Sequence, residues 1–152
     1  MVTIVISLCL LVTPFTIAFF HSSIIYGKHN PNIYANYFIA ANISLLMLLN
    51  SYAYLVDGDY ISKFQGWIYT PAVFQLGLYQ LALFLFSVIA LFKGSEFKAG
   101  CLLFFSIYTL LNILSLFSGD YNEIVNAVVV VDILTAVISF GLYKALCRKS
   151  IQ

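Results

Sequence analysis

Asp132 sits where an ionised side chain is least at home. It follows four valines in Val128-Val129-Val130-Val131-Asp132-Ile133-Leu134. A charged carboxylate at the centre of a bilayer-spanning stretch costs roughly 2.5–3.5 kcal/mol on insertion scales, and such residues are usually functional or paired. At the helical angle of about 100° per residue, Ala136, Ser139 and Tyr143 share its face, with Thr135 beside them. No Lys, Arg or His lies deep in another apolar stretch. The available partners are therefore amides and hydroxyls: Asn112, Gln75, Gln80 and Asn50. Two chemistries follow. Asp132 could bind or relay a proton or hold a small cation. Alternatively, a neutral carboxyl could hydrogen-bond across helices and fix their packing, a bond worth about 0.6–2 kcal/mol in membranes. The structural role carries the greater weight. The candidate intramembrane polar site is Asp132, Gln75, Gln80, Asn112 and Ser139.

Other chemistry-bearing residues lead less far. His21 and His29 share one polar connection with no carboxylate or thiolate beside them, too few ligands for a metal site. Asp57-Gly58-Asp59 lacks the further oxygens that calcium needs. Asn42-Ile43-Ser44 matches the glycosylation triplet but lies mid-helix, out of the enzyme's reach. The cysteines Cys9, Cys101 and Cys147 are odd in number and form no CxxC pair, so neither a disulfide framework nor a zinc site is expected. Cys147, beside Arg148 and Lys149, is an acylation candidate for which an inert thiol is the better reading. HExxH, GxSxG and phosphate-cradling glycine loops are absent, and no cofactor is implied.

The elements that must position Asp132 are apolar helices. Of 152 residues, 62% are hydrophobic and 9% charged, with eleven Tyr and fourteen Phe. Soluble domains carry roughly 25% charged residues. The chain reads as one all-α integral membrane domain over 1–152, with spans at about 2–20, 33–56, 70–92, 99–118 and 124–143. The first resembles a signal peptide in length. However, no Lys or Arg precedes it, and Pro14 and Phe19-Phe20 stand where a cleavage site would want small residues. A retained helix, kinked at Pro14, is expected. In the second, Asn36, Ala40, Met47, Asn50 and Tyr54 fall on one face, expected to meet other helices. In the fourth, Tyr108, Thr109, Asn112 and Ser115 share a side.

Charge orients the bundle. The connections at 21–32 and 93–98 and the tail carry Lys28, Lys93, Lys98, Lys144, Arg148 and Lys149, whereas the opposite side carries only Lys63. Loops this short obey the positive-inside rule. The expected topology is five spans, N-terminus outside and C-terminus cytoplasmic. With net charge +1 and no basic tract, nucleic acid is not an implied partner.

The third span has the most legible entry. In Gly66-Trp67-Ile68-Tyr69-Thr70-Pro71, the aromatic rings suit the headgroup level. Thr70 is expected to cap with its hydroxyl, and Pro71 to take the first helical position. Beyond it, Gln80 and Ser87 share one face while Gln75 and Tyr79 share another, so partners on two sides are expected.

From Ala53 onward the chain resembles an uncharacterised family of small bacterial multi-pass membrane proteins. The matching residues are Gly66-Trp67, Thr70-Pro71, Phe74, Gly77-Leu78, Leu81-Ala82 and Val131-Asp132-Ile133-Leu134-Thr135, over about two-thirds of the chain. The family pattern has Glu where this chain has Gln75 and Asn where it has Gln80. Family histidines fall on Tyr54 and Leu116. The resemblance implies the topology, the bacterial inner membrane and a place for Asp132, but no activity.

The leading expectation is a non-enzymatic interaction or accessory module in the lipid bilayer, self-associating or meeting a membrane-protein partner. The alternative is a small proton- or solute-handling carrier centred on Asp132. A lipid- or quinone-directed enzyme ranks third.

Overall fold

The computed structural model describes residues 2–26, 30–64, 68–116 and 123–150. All the regular elements among them are helical. Helix α1 is Val2–Tyr26, and Pro14 lies inside it without ending it. Helix α2 is Pro31–Val56, with Ile39–Leu45 wound as a π-helix. Helix α3 is Gly58–Phe64, α4 is Pro71–Leu91, α5 is Ser95–Leu116 and α6 is Glu123–Ser150.

Local chemistry explains the boundaries. Asn30 takes an extended conformation before α2, its side chain accepts the Asn32 N–H at 3.1 Å, and Pro31 opens the helix. Ser22 of α1 accepts the Asn30 N–H at 3.0 Å, tying the α1–α2 connection to the end of α1. Thr70 holds the same place before α4, extended and followed by Pro71, but its hydroxyl makes no capping bond. The expected side-chain cap is thus replaced by a backbone one, Val73 N–H to the Thr70 carbonyl at 2.9 Å. Trp67 and Gly66, with Lys28, His29 and residues 119–122, lie outside the described residues.

Three expectations are corrected. The 57–66 connection holds a helix rather than a loop. In α3, Ser62 donates to the Gly58 carbonyl at 2.7 Å and Lys63 pairs with Asp59 at 2.7 Å, one turn apart. Lys98 is not a loop residue: α5 already begins at Ser95, and Lys98 is buried in its first turns. The last helix also continues past Tyr143 to Ser150.

Among the described residues, four helices are long and apolar enough to cross a membrane: Pro31–Val56, Pro71–Leu91, Ser95–Ile113 and Val129–Arg148. In α1 the apolar stretch Leu11–Ile25 is shorter. Helices α5 and α6 pack antiparallel along their length, and the second half of α2 packs on α4. Helix α1 lies against the first half of α2, and α6 reaches across to both. At their junction Phe38, Ile39, Leu102 and Leu146 are fully buried, in a core shared with Leu11, Cys101 and Phe105. The outside is apolar: Phe20, Leu49, Leu111 and Val137 are exposed. A surface of this kind belongs in lipid or against a partner.

The π segment changes which residues of α2 face inward. The buried set runs Ile33, Ala35, Phe38, Ile39, Asn42, Ile43, Ser44, Met47 and Ser51. Of the face expected from a regular helix, Met47 is buried, Asn36, Asn50 and Tyr54 are half-buried, and Ala40 is exposed. A π turn bonds i to i+5, so it holds extra residues and rotates everything after it.

Candidate functional site

The α5–α6 hairpin is joined by hydroxyls that reach across to backbone carbonyls. Ser106 donates to the Ala136 carbonyl at 3.0 Å, and Ser139 donates to the Leu102 carbonyl at 2.8 Å. Thr109 and Thr135 satisfy their own hydroxyls inside their helices, on Phe105 and Val131 at 2.8 Å each. Small buried residues at these positions let the backbones approach closely, as membrane helices require. Ser139 therefore works as a helix-to-helix tie. It stands two turns from Asp132, about 10 Å along the axis.

That close approach brings Asp132 and Asn112 together. Asn112 Nδ2 donates to Asp132 Oδ2 at 3.2 Å. Asp132 is half-buried and Asn112 is exposed, so the pair lies on an open side of the hairpin. Helix α6 also carries Ala136 and Ser139 on the packed side, which holds the carboxyl at the rim of the helix contact rather than in its middle.

Gln80 lies elsewhere. It is buried on α4, and its Nε2 donates to the Tyr108 hydroxyl at 2.6 Å, while its Oε1 is buried without a partner. The Tyr108 oxygen accepts that bond, leaving its own proton free to be donated. Two polar pairs result, Gln80–Tyr108 between α4 and α5 and Asn112–Asp132 between α5 and α6. The shared side expected for Tyr108 and Asn112 on this helix is the one that supplies both bonds, while the pairing of Tyr108 with Gln80 has no signal in the sequence.

Gln75 belongs to neither pair. It and Tyr79 are exposed on the outer side of α4. The expectation of partners on both sides of this helix fails within the single chain, since only the Gln80–Ser87 side is packed. Asn50 is half-buried, and Ser115 lies beyond the described side chains. Among the described residues no three His, Cys, Asp or Glu side chains gather as a metal site would.

Fold and site together define an all-helical protein with four helices fit to cross a bilayer and a carboxyl–amide pair between two of them. No family model, curated protein or solved structure matches the chain. The resemblance carried by Thr70-Pro71, Gly77 and Val131–Thr135 therefore rests on those residues alone and assigns no family.

Proposed function

We propose that the chain is a non-enzymatic interaction module of a bacterial inner membrane that self-associates through the Asn112–Asp132 face. The observation that carries this reading is the position of that pair, hydrogen-bonded at 3.2 Å yet on an open side of the hairpin. Lipid offers neither group a partner. A neutral carboxyl and a primary amide each donate and accept, so the patch is complementary to itself, as a two-fold interface needs. Five spans with the N-terminus outside fit the 25-residue length of α1 and the basic side defined by Lys93, Lys98, Lys144 and Arg148. Reporter fusions after Asp57 and after Gln152 should report opposite sides.

The self-association test is single-molecule photobleaching in lipid nanodiscs. Wild type should show two bleaching steps and Asp132→Leu one, with Asp132→Asn keeping most of the pairing. Unchanged assembly in Asp132→Leu would sink the reading.

One observation favours a second reading, a proton carrier. Tyr108, bonded to Gln80, stands one turn of α5 before Asn112, which donates to Asp132, so ionisable groups follow one another along this side of α5. Proteoliposomes would then show a pH-driven flux that Asp132→Asn abolishes, whatever the oligomeric state.

A further inference from the structure

Lys98 is 8% exposed, yet among the described residues its side chain forms no ion pair or hydrogen bond. Lysine is almost never covered to that degree unless it is paired. The ion pair present among those residues is Lys63–Asp59, on α3. The amine is not sealed in either. The unpaired side-chain atoms that are wholly enclosed are Asn32 Oδ1, Asn36 Oδ1, Asn42 Nδ2 and Gln80 Oε1. The stem of Lys98 therefore lies in the packing while its charged tip reaches an opening, as long cationic side chains do when they snorkel.

That opening is the start of α5. Side chains on a helix lean back toward its N-terminus, so the stem of Lys98 runs toward Gly94 and Ser95. The Lys98 N–H closes the first turn on the Gly94 carbonyl at 3.2 Å. The N–H groups of Ser95, Glu96 and Phe97 come before any helical acceptor, and Gly94 has no side chain with which to cap them. A Cβ at Gly94 would meet nothing within 4 Å, so the space before the helix is open. Orphan donors at the positive end of a 22-residue helix, with a cation directed at them, suit one group that carries several negative oxygens.

The surrounding charge has the sign to attract such a group. Ser139 meets Leu102 across the hairpin. Lys98, four residues before Leu102, therefore stands level with Tyr143, and Lys144 and Arg148 follow within about 8 Å along α6. Lys93 precedes α5 by two residues. Lys144 holds its amine 4.8 Å above the Phe140 ring rather than on an acid. Among the described residues the acid at this end is Glu96, which is exposed. Two positions from Lys98, it points about 160° around the helix from it. Excess charge of one sign around a site raises the local concentration of its counter-ions.

We propose that the start of α5 binds a phosphate group, whose oxygens accept from the Lys98 ammonium and from the N–H groups of Ser95, Glu96 and Phe97. Lys93 adds attraction without contact. An anionic lipid head and a soluble phosphate present the same chemistry there. The site is separate from the Asn112–Asp132 face and does not depend on self-association.

The test follows the amide signals of Ser95, Glu96 and Phe97 by nitrogen–proton NMR correlation, with the whole chain in maltoside micelles, which contain no phosphate. Phosphatidic acid and inorganic phosphate are titrated separately. These amides should move saturably, and the probe that saturates at the lower concentration is the source. Bound probe should also slow acetylation of the wild-type Lys98 amine by about tenfold, mapped by mass spectrometry. Lys98→Met keeps the stem and removes the charge. It should weaken binding about tenfold or more, as loss of a hydrogen bond to a charged group implies, and Lys98→Arg should retain binding. Lys93→Gln should weaken it only about twofold, as a screened charge out of contact would. An unmoved Ser139 amide shows that the hairpin is intact in each variant. Unsaturated, linear shifts with both probes, or unslowed acetylation of Lys98, would overturn the proposal and leave a lysine whose tip meets water. So would undiminished affinity in Lys98→Met, or a loss in Lys93→Gln as large as in Lys98→Met, since a diffuse field needs no site.

Discussion

Ser44 and Ser87 meet hydroxyl to hydroxyl at 2.8 Å in the contact between α2 and α4. Ser87 also donates to the Phe84 carbonyl of its own helix at 2.7 Å. Its single proton is therefore committed, and Ser44 must be the donor across the interface. The arrangement is directional. Ser87 is fully buried and Ser44 nearly so, and neither can turn to water.

Replacing Ser87 should therefore cost more than its own bond. Ser87→Ala leaves the Ser44 proton buried without an acceptor, whereas Ser44→Ala leaves Ser87 its bond to Phe84. Each change falls in the range of about 0.6–2 kcal/mol expected for intramembrane hydrogen bonds, with Ser87→Ala the larger. Steric-trapping measurements of unfolding in bicelles, arranged as a double-mutant cycle, would read the order directly. The reverse order would mean that the proton runs the other way.

The same interface closes over Gly77. A methyl group there would stand 2.8 Å from Leu55 Cγ and Cδ2 and 3.1 Å from Tyr54 Cβ. Gly77→Ala should push α2 from α4 and destabilise the protein by about 1–3 kcal/mol, the usual cost of overpacking. At Gly100 and Gly141 nothing lies within 4 Å. Alanine at either should be neutral, or stabilising by up to about 1 kcal/mol through helix propensity. Equal thermal shifts for Gly77→Ala and Gly141→Ala would contradict the close approach.

Tyr108→Phe and Gln80→Met remove the same 2.6 Å bond but should not cost the same. The phenylalanine leaves the whole Gln80 amide buried and unpaired, because its Oε1 is already without a partner. The methionine removes that orphan oxygen as well and leaves only a half-buried hydroxyl. Leaving a buried polar group unmade costs about 1–3 kcal/mol, while removing both ends can be nearly neutral. Tyr108→Phe should therefore be the more harmful, as read by thermal unfolding in nanodiscs.

Which of these features the sequence discloses depends on their physics. An apolar run with Pro at the entry is a local signal, so α4 is legible from Pro71, whereas α2 begins at Pro31, two residues before the span expected from 33. Asn112 as a partner for Asp132 follows from scarcity, since few polar groups share its depth. Helix α3, Gly58–Phe64, is hidden because Asp57-Gly58-Asp59 has turn chemistry, and only the Asp59–Lys63 spacing speaks for a helix. The hydroxyl of Thr70 has the right chemistry and the right place but stays unused. The face of α2 is illegible for a deeper reason. Periodicity arguments assume about 100° per residue throughout, and nothing in Ile39–Leu45 announces that the winding changes.

That change of winding lets a single rod answer to two neighbours in turn. Before it, Ala35 and Phe38 seat against the side where α1 and α6 lie; after it, Met47 and Ser51 are carried to the side where α4 lies. The widened turns act as a coupling between two independently indexed shafts. A residue gained or lost within them could be absorbed as a change of winding instead of turning the outer half of α2, with Tyr54 and Leu55, away from Gly77. The inner and outer halves of the bundle are thereby free to vary in sequence without each dictating the other's orientation.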